Sequence, residues 1–116
     1  MRKIYHLSTC NTCQRILSET GTNGFEVIDV KEQIISSEDL DHAKAKLGSY
    51  EALFNKRAIK YRQQGLNEQS LRDDQFRDLI LNEYTFMKRP LYFIEDEVYA
   101  GNAKKTVEHI KVHLSE

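Results

Sequence analysis

Cys10 and Cys13 are the only two cysteines of the chain, and they stand in the segment Cys10-Asn11-Thr12-Cys13. At this spacing two thiols lie one helical turn apart and can reach each other. A bridge between them would close too small a loop to stabilise a fold by restraining the unfolded chain. A structural zinc site needs about four ligands, so no metal site is expected. The pair points to redox chemistry, with Cys10 as nucleophile and Cys13 as resolving thiol. A thiol of pKa ~8.5 is only a few per cent ionised at pH ~7, and the thiolate is the reactive form. Something must therefore favour the anion at Cys10.

The sequence offers three sources of that preference. A helix beginning at Asn11 would aim its free N–H groups and its dipole at the Cys10 sulfur. His6, four positions earlier, would help if protonated and close. Arg89 would help if the segment beginning at Pro90 runs beside the first strand. Moving the thiol pKa from about 8.5 to about 6.5 corresponds to ~2.7 kcal/mol, within reach of a dipole and one cation. Arg57 is a further candidate anion ligand, in a basic stretch that includes Lys56, Lys60 and Arg62. His109 and His113 lie four apart near the end of the last expected helix. They read as solvated cations at its negative end, not as metal ligands. Phe86 and Met87 read as packing residues.

Positioning these groups requires particular elements. Lys3 to Leu7 reads as a buried strand and Asn11 to about Thr20 as a helix stopped by Gly21. Phe25 to Val30 reads as a second strand, so the opening is a parallel strand–helix–strand unit. Ser36 with Asp39, and Ser70 with Asp73, are capping signals for two helices. Leu53, Phe54, Ala58 and Ile59 suggest a short helical piece between them. Leu91 to Ile94 and Val98 to Ala100 form an expected hairpin, with Pro90, the only proline, at its first strand's start. A last helix buries Ala103, Val107, Ile110 and Leu114. The expected fold is α/β, a four-stranded mixed sheet flanked by helices. It forms a single domain over 1–116, with a helical insertion at about 33–84 between the second strand and the strand after Arg89.

With 116 residues and a formal net charge of -1, the chain lacks the electrostatic footprint of a nucleic-acid binder. No apolar run approaches the roughly 20 residues that span a bilayer. The start, Met1-Arg2-Lys3-Ile4-Tyr5-His6, does not read as a signal peptide. A cytoplasmic location is expected, with no membrane association and no direct contact with nucleic acid.

The residues also carry a resemblance. Ile4-Tyr5-His6 followed by Cys10 resembles the opening of the glutaredoxin-coupled arsenate reductases. Cys10 to Arg15 is similar to the opening of the Spx-type regulators of the same superfamily. Leu53-Phe54-Asn55-Lys56-Arg57, then Tyr61 and Gly65-Leu66, resembles the family's middle block, and Lys88-Arg89-Pro90-Leu91 its Arg-Pro block. The resemblance runs over nearly the whole chain in order. It implies a thioredoxin-like fold in which Pro90 is the cis-proline facing Cys10. It implies that Arg89 binds the oxyanion, and that either Asn55 or Arg57 fills the place of the middle arginine. The pattern departs at Ala100-Gly101-Asn102, where the reductases carry another arginine. Lys104 and Lys105 lie nearby but cannot copy its bidentate geometry.

The expected activity is a thiol oxidoreductase like the arsenate reductases, acting on arsenate or a disulfide. Cys10, Cys13 and Arg89 are its expected catalytic residues, and His6, Asn11, Thr12, Arg57 and Pro90 its substrate-binding ones. No bound cofactor is expected. Glutathione is a possible co-substrate, and glutaredoxin or thioredoxin the expected electron donor. The alternative is an Spx-like redox-sensing regulator that contacts RNA polymerase.

Overall fold

A computed structural model describes residues 1–116. The chain forms two compact units, one of Met1–Gln33 with Arg89–Glu116 and the other of Ile34–Lys88. In the first unit the elements are β1 (Arg2–His6), α1 (Asn11–Thr20) and β2 (Glu26–Asp29). After the second unit, which contributes three helices, come β3 (Leu91–Ile94), β4 (Glu97–Ala100) and the closing helix α5 (Lys104–Ser115). The four strands make one mixed sheet in the order β2-β1-β3-β4. β1 pairs parallel with β2 and antiparallel with β3, with Tyr5 opposite Leu91, and β3 pairs antiparallel with β4. The sheet is mixed and four-stranded as expected, and the order places β1 inside with the hairpin beside it.

Alternation along the strands sorts the core. Ile4, Tyr92 and Ile94 join Ile16 and Leu17 of α1 and Val107 and Ile110 of α5 in one buried cluster. Phe25 packs edge-on against Tyr92, and the Tyr92 hydroxyl shares a 2.8 Å hydrogen bond with Thr20 Oγ1. The opposite face carries Tyr5, Leu91 and Phe93, all buried. Strand ends differ slightly from expectation. Leu7 falls outside β1 because its carbonyl turns to accept from Cys10 N–H instead of continuing the ladder. α1 ends where Gly21, at φ +75°, returns its N–H to the Leu17 carbonyl, a conformation that costs glycine little.

The second unit holds α2 (Ser37–Leu47), α3 (Ile59–Gln63) and α4 (Asp73–Asn82), with 3-10 turns at Glu51–Leu53, Leu66–Glu68 and Tyr84–Phe86. Ser36 caps α2 as expected, its Oγ accepting from Asp39 N–H at 3.1 Å. The second capping expectation is corrected. Ser70 does not cap α4; the cap residue is Arg72, whose N–H donates to Gln75 Oε1 at 2.8 Å. The Asp73 carboxylate instead accepts from Tyr50 and Glu51 N–H at 3.1 and 3.0 Å, closing the start of a distant turn. The short helical piece expected around Leu53 to Ile59 is present in part, as the 3-10 turn ending at Leu53 and as α3 from Ile59, but it is broken between them. Phe54 sits in an extended bridge with Met87, and Ile59 is exposed at the start of α3. No helix is long and apolar enough to cross a membrane.

Candidate active site

β1 delivers the chain into a loop, Leu7–Thr9, that ends at Cys10. Cys10 takes an extended conformation at the N-cap of α1. Its N–H donates to the Leu7 carbonyl at 3.0 Å, and its own carbonyl accepts from Gln14 N–H at 3.1 Å, which starts the helix. Asn11, exposed, and Thr12, half-buried, occupy the first two helical positions. Their N–H groups have no carbonyl ahead of them within the helix. They are ready donors to negative charge beside Cys10. Both thiols are free, Cys10 half-buried and Cys13 fully buried.

The two thiols are displaced in opposite directions. Partial burial opposes ionisation of Cys10. The Cys13 N–H, the Cys13 thiol and the Arg89 guanidinium all favour its anion, and together they hold Cys10 below the ordinary thiol value. Cys13 is pushed up to about 12, first by burial and then by the adjacent Cys10 thiol, against a smaller lowering from the Leu7 backbone and Arg89. One thiol is thus poised to ionise, and the other stays protonated and donates to it.

Arg89 and Pro90 follow from the sheet. Tyr5 opposite Leu91 sets Pro90 alongside the end of β1. The Arg89–Pro90 peptide bond is cis, Pro90 is buried, and its carbonyl accepts from Gly101 N–H at 3.0 Å. Arg89 is half-buried, with its Nε out of solvent.

His6 is the last residue of β1. Its Nδ1 lies 3.0 Å from Gln14 Nε2, and the same Nε2 donates to the Leu7 carbonyl at 3.0 Å. Across the sheet His6 stands opposite Asp29. Burial opposes ionisation of Asp29, but the Ser8 hydroxyl, the Lys31 and Ser8 N–H groups and the His6 ring hold its carboxyl below its ordinary value. Asp29 Oδ1 accepts from Ser8 N–H at 3.3 Å and Lys31 N–H at 3.1 Å, so it pins the loop between His6 and Cys10. Gln14, Ser8 and Asp29 are site-building residues that sequence reasoning missed. Ser8 and Asp29 sit in no recognisable motif, and Gln14 lies eight residues from its imidazole partner.

The remaining candidates lie elsewhere. Asn55 and Arg57 belong to the second unit. Asn55 is committed to its own segment, with Oδ1 accepting from Arg57 N–H at 3.1 Å and Nδ2 donating to the Thr85 carbonyl at 3.3 Å. Arg57 is exposed, with its guanidinium held by no carboxylate. In the first unit Asn102, Lys104 and Lys105 are exposed. His109 is exposed, and His113 Nδ1 lies 2.9 Å from the Tyr99 hydroxyl. No group of three or more His, Cys, Asp or Glu is placed to hold a metal ion.

Known proteins share this fold. An arsenate reductase from Vibrio cholerae superposes with a TM-score of 0.78 at 22% identity, over 94% of this chain and 96% of that one. A protein from Staphylococcus aureus superposes with a TM-score of 0.73 at 28% identity, over 94% of this chain and 97% of that one. An arsenate reductase (ArsC) related protein from Brucella melitensis gives 0.69 at 21% identity, over 93% and 92%. These likenesses establish the thioredoxin-like fold. No curated protein matches the chain in sequence. The family model for ArsC matches residues 5–110, nearly the whole length, and the chain therefore belongs to the ArsC family.

Proposed function

We propose that the chain is a thiol oxidoreductase in which the Cys10 thiolate attacks arsenate or a disulfide. The observation that carries this reading is the opposed displacement of two adjacent thiols, Cys10 down and Cys13 up to about 12. That division suits a nucleophile and a reserve thiol. The first-turn N–H groups of Asn11 and Thr12, with Arg89, supply donors to an anionic substrate. Pro90 backs the site.

With arsenate, the Cys10 sulfur bonds to arsenic and one arsenate oxygen leaves, protonated, as water. A second thiol, Cys13 or glutathione, then attacks the Cys10 sulfur. The S–As electron pair stays on arsenic, reducing As(V) to As(III), and the thiol's proton passes to the arsenite. With a disulfide, Cys10 forms a mixed disulfide and releases one thiolate. Cys13 loses its proton, bonds to Cys10 and releases the second thiol. Consuming the Cys10 anion removes one of the causes that hold the Cys13 proton. Glutaredoxin or thioredoxin is the proposed electron donor, with glutathione as co-substrate and no bound cofactor.

The test is a panel of arsenate, glutathione mixed disulfides and protein disulfides, each with NADPH and either donor system. Turnover that vanishes in Cys10→Ser is expected. No turnover with any substrate and donor would reject the enzyme reading. A second reading draws on the same Cys13-to-Cys10 thiol contact. Closure of the pair under oxidant would switch a contact with RNA polymerase. Retention by polymerase that changes with reductant would favour it.

A further inference from the structure

Gln14 stands one helical turn beyond Cys10, and its carboxamide makes two contacts that the thiol chemistry does not itself require. Nε2 lies 3.0 Å from the Leu7 carbonyl and 3.0 Å from His6 Nδ1. The first contact settles the second. A peptide carbonyl only accepts, so the Gln14 atom facing it is the NH₂ group and not the amide oxygen. That group's other proton then faces His6 Nδ1, which must offer a lone pair. A neutral imidazole with its lone pair at Nδ1 carries its proton at Nε2.

We infer that Gln14 is a positioning residue that fixes neutral His6 as the Nε2–H tautomer while bracing the Leu7 carbonyl that also receives Cys10 N–H. The inference rests on the thiol-oxidoreductase reading for its consequence. In this tautomer the free ring nitrogen of His6 is a hydrogen-bond donor, suited to negative charge on a substrate or leaving group. It is not a base able to take the Cys10 proton. Ionisation of Cys10 then falls to Cys13 and Arg89, the groups that lower it. The same carboxamide ties the last residue of β1 to the first helical turn, so the tautomer and the loop geometry are set by one side chain.

The test reads the tautomer directly and needs no turnover. In ¹⁵N-labelled, reduced protein at alkaline pH, long-range ¹H–¹⁵N spectra separate a protonated from an unprotonated ring nitrogen. Wild-type His6 is expected at the limiting positions, Nδ1 unprotonated and Nε2 protonated. Gln14→Met keeps the bulk but cannot donate, so the two resonances are expected to move toward each other as the tautomers mix. Gln14→Glu can only accept, so Nδ1 is expected to shift toward the protonated position. A wild-type Nδ1–H, a wild-type ring already averaged, or variants indistinguishable from wild type would overturn the assignment. A chain inert toward every substrate with the wild-type tautomer as described would sink the oxidoreductase reading and leave Gln14's role standing.

Discussion

Cys10 and Cys13 are three positions apart and in contact, yet they sit on opposite sides of the ordinary thiol value. The difference is burial and partners. Cys13 is fully enclosed and donates its proton to Cys10, while Cys10 receives two contacts from Cys13 and the charge of Arg89. Arg89 is the only one of these partners that carries a full charge. An opposite charge in contact with an acid lowers its pKa by roughly one unit or more. In Arg89→Ala the half-ionisation point of Cys10, followed as thiolate absorbance against pH, is therefore expected to rise. Cys10→Ser supplies the blank. An unchanged titration would remove Arg89 from the account. The thiol pair and Arg89 were legible in the sequence because a short motif and a lone proline announce them. The support beneath them was not. Asp29 meets Ser8 across 21 residues and Gln14 meets His6 across eight, and no local pattern marks either pair. Spacing places His6 four positions before Cys10 but cannot say which ring nitrogen faces what.

Elements show the same division between local and non-local signals. β1, β2 and the hairpin were readable because each is a short apolar run bounded by turn residues, and β1 pairs as the strand–helix–strand order requires. Ser36 was a correct cap because capping is settled within three residues. Asp73 was misread because its carboxylate serves Tyr50 and Glu51, more than twenty residues back. The stretch around Phe54 was misread as helical because its burial comes from tertiary contacts. Asn55 N–H donates to the Phe86 carbonyl at 2.7 Å and Lys88 N–H to the Leu53 carbonyl at 2.8 Å, so two segments lie side by side. The Phe54 ring, 1% exposed, stands 4.9 Å from Phe76, 5.1 Å from Phe86 and 5.3 Å from Tyr61, centre to centre. Removing that ring leaves a cavity among three aromatic partners. Phe54→Ala is expected to cost about 3–5 kcal/mol and Phe54→Leu less than Phe54→Ala, read from urea unfolding. A cost below about 1 kcal/mol for the alanine variant would mean that the site collapses or that Phe54 is not the hub of this unit.

Across the whole molecule, ionisation links fold stability to pH through carboxylates held in their charged form. Lys111 and Arg15 lower Glu19, and Arg2 lowers Glu95. Burial opposes ionisation of Glu83, but Lys60 and Thr85 keep it below its ordinary value. Asp41 is held furthest, at about 2, chiefly by the Arg77 guanidinium and then by the Tyr50 hydroxyl. Arg77 bonds it through Nε and Nη2 at 2.8 and 3.1 Å, and Tyr50 donates at 2.6 Å. Each of these groups has a lower pKa folded than unfolded. As pH falls below an unfolded value near ~4, the unfolded chain takes up protons that the folded chain refuses. Stability is therefore fully present above that value and is lost as pH falls toward 2. The midpoint of thermal unfolding is expected to be level from pH 7 to about pH 5 and then to drop steadily toward pH 2. Asp41→Asn keeps the shape of the side chain but cannot titrate. Its melting midpoint is expected to start below wild type at pH 7 and to decline less on acidification, so that the two curves converge near pH 2. Parallel curves would show that Asp41 is free to ionise equally in both states, and that the Arg77 and Tyr50 contacts contribute nothing to the link between charge and fold.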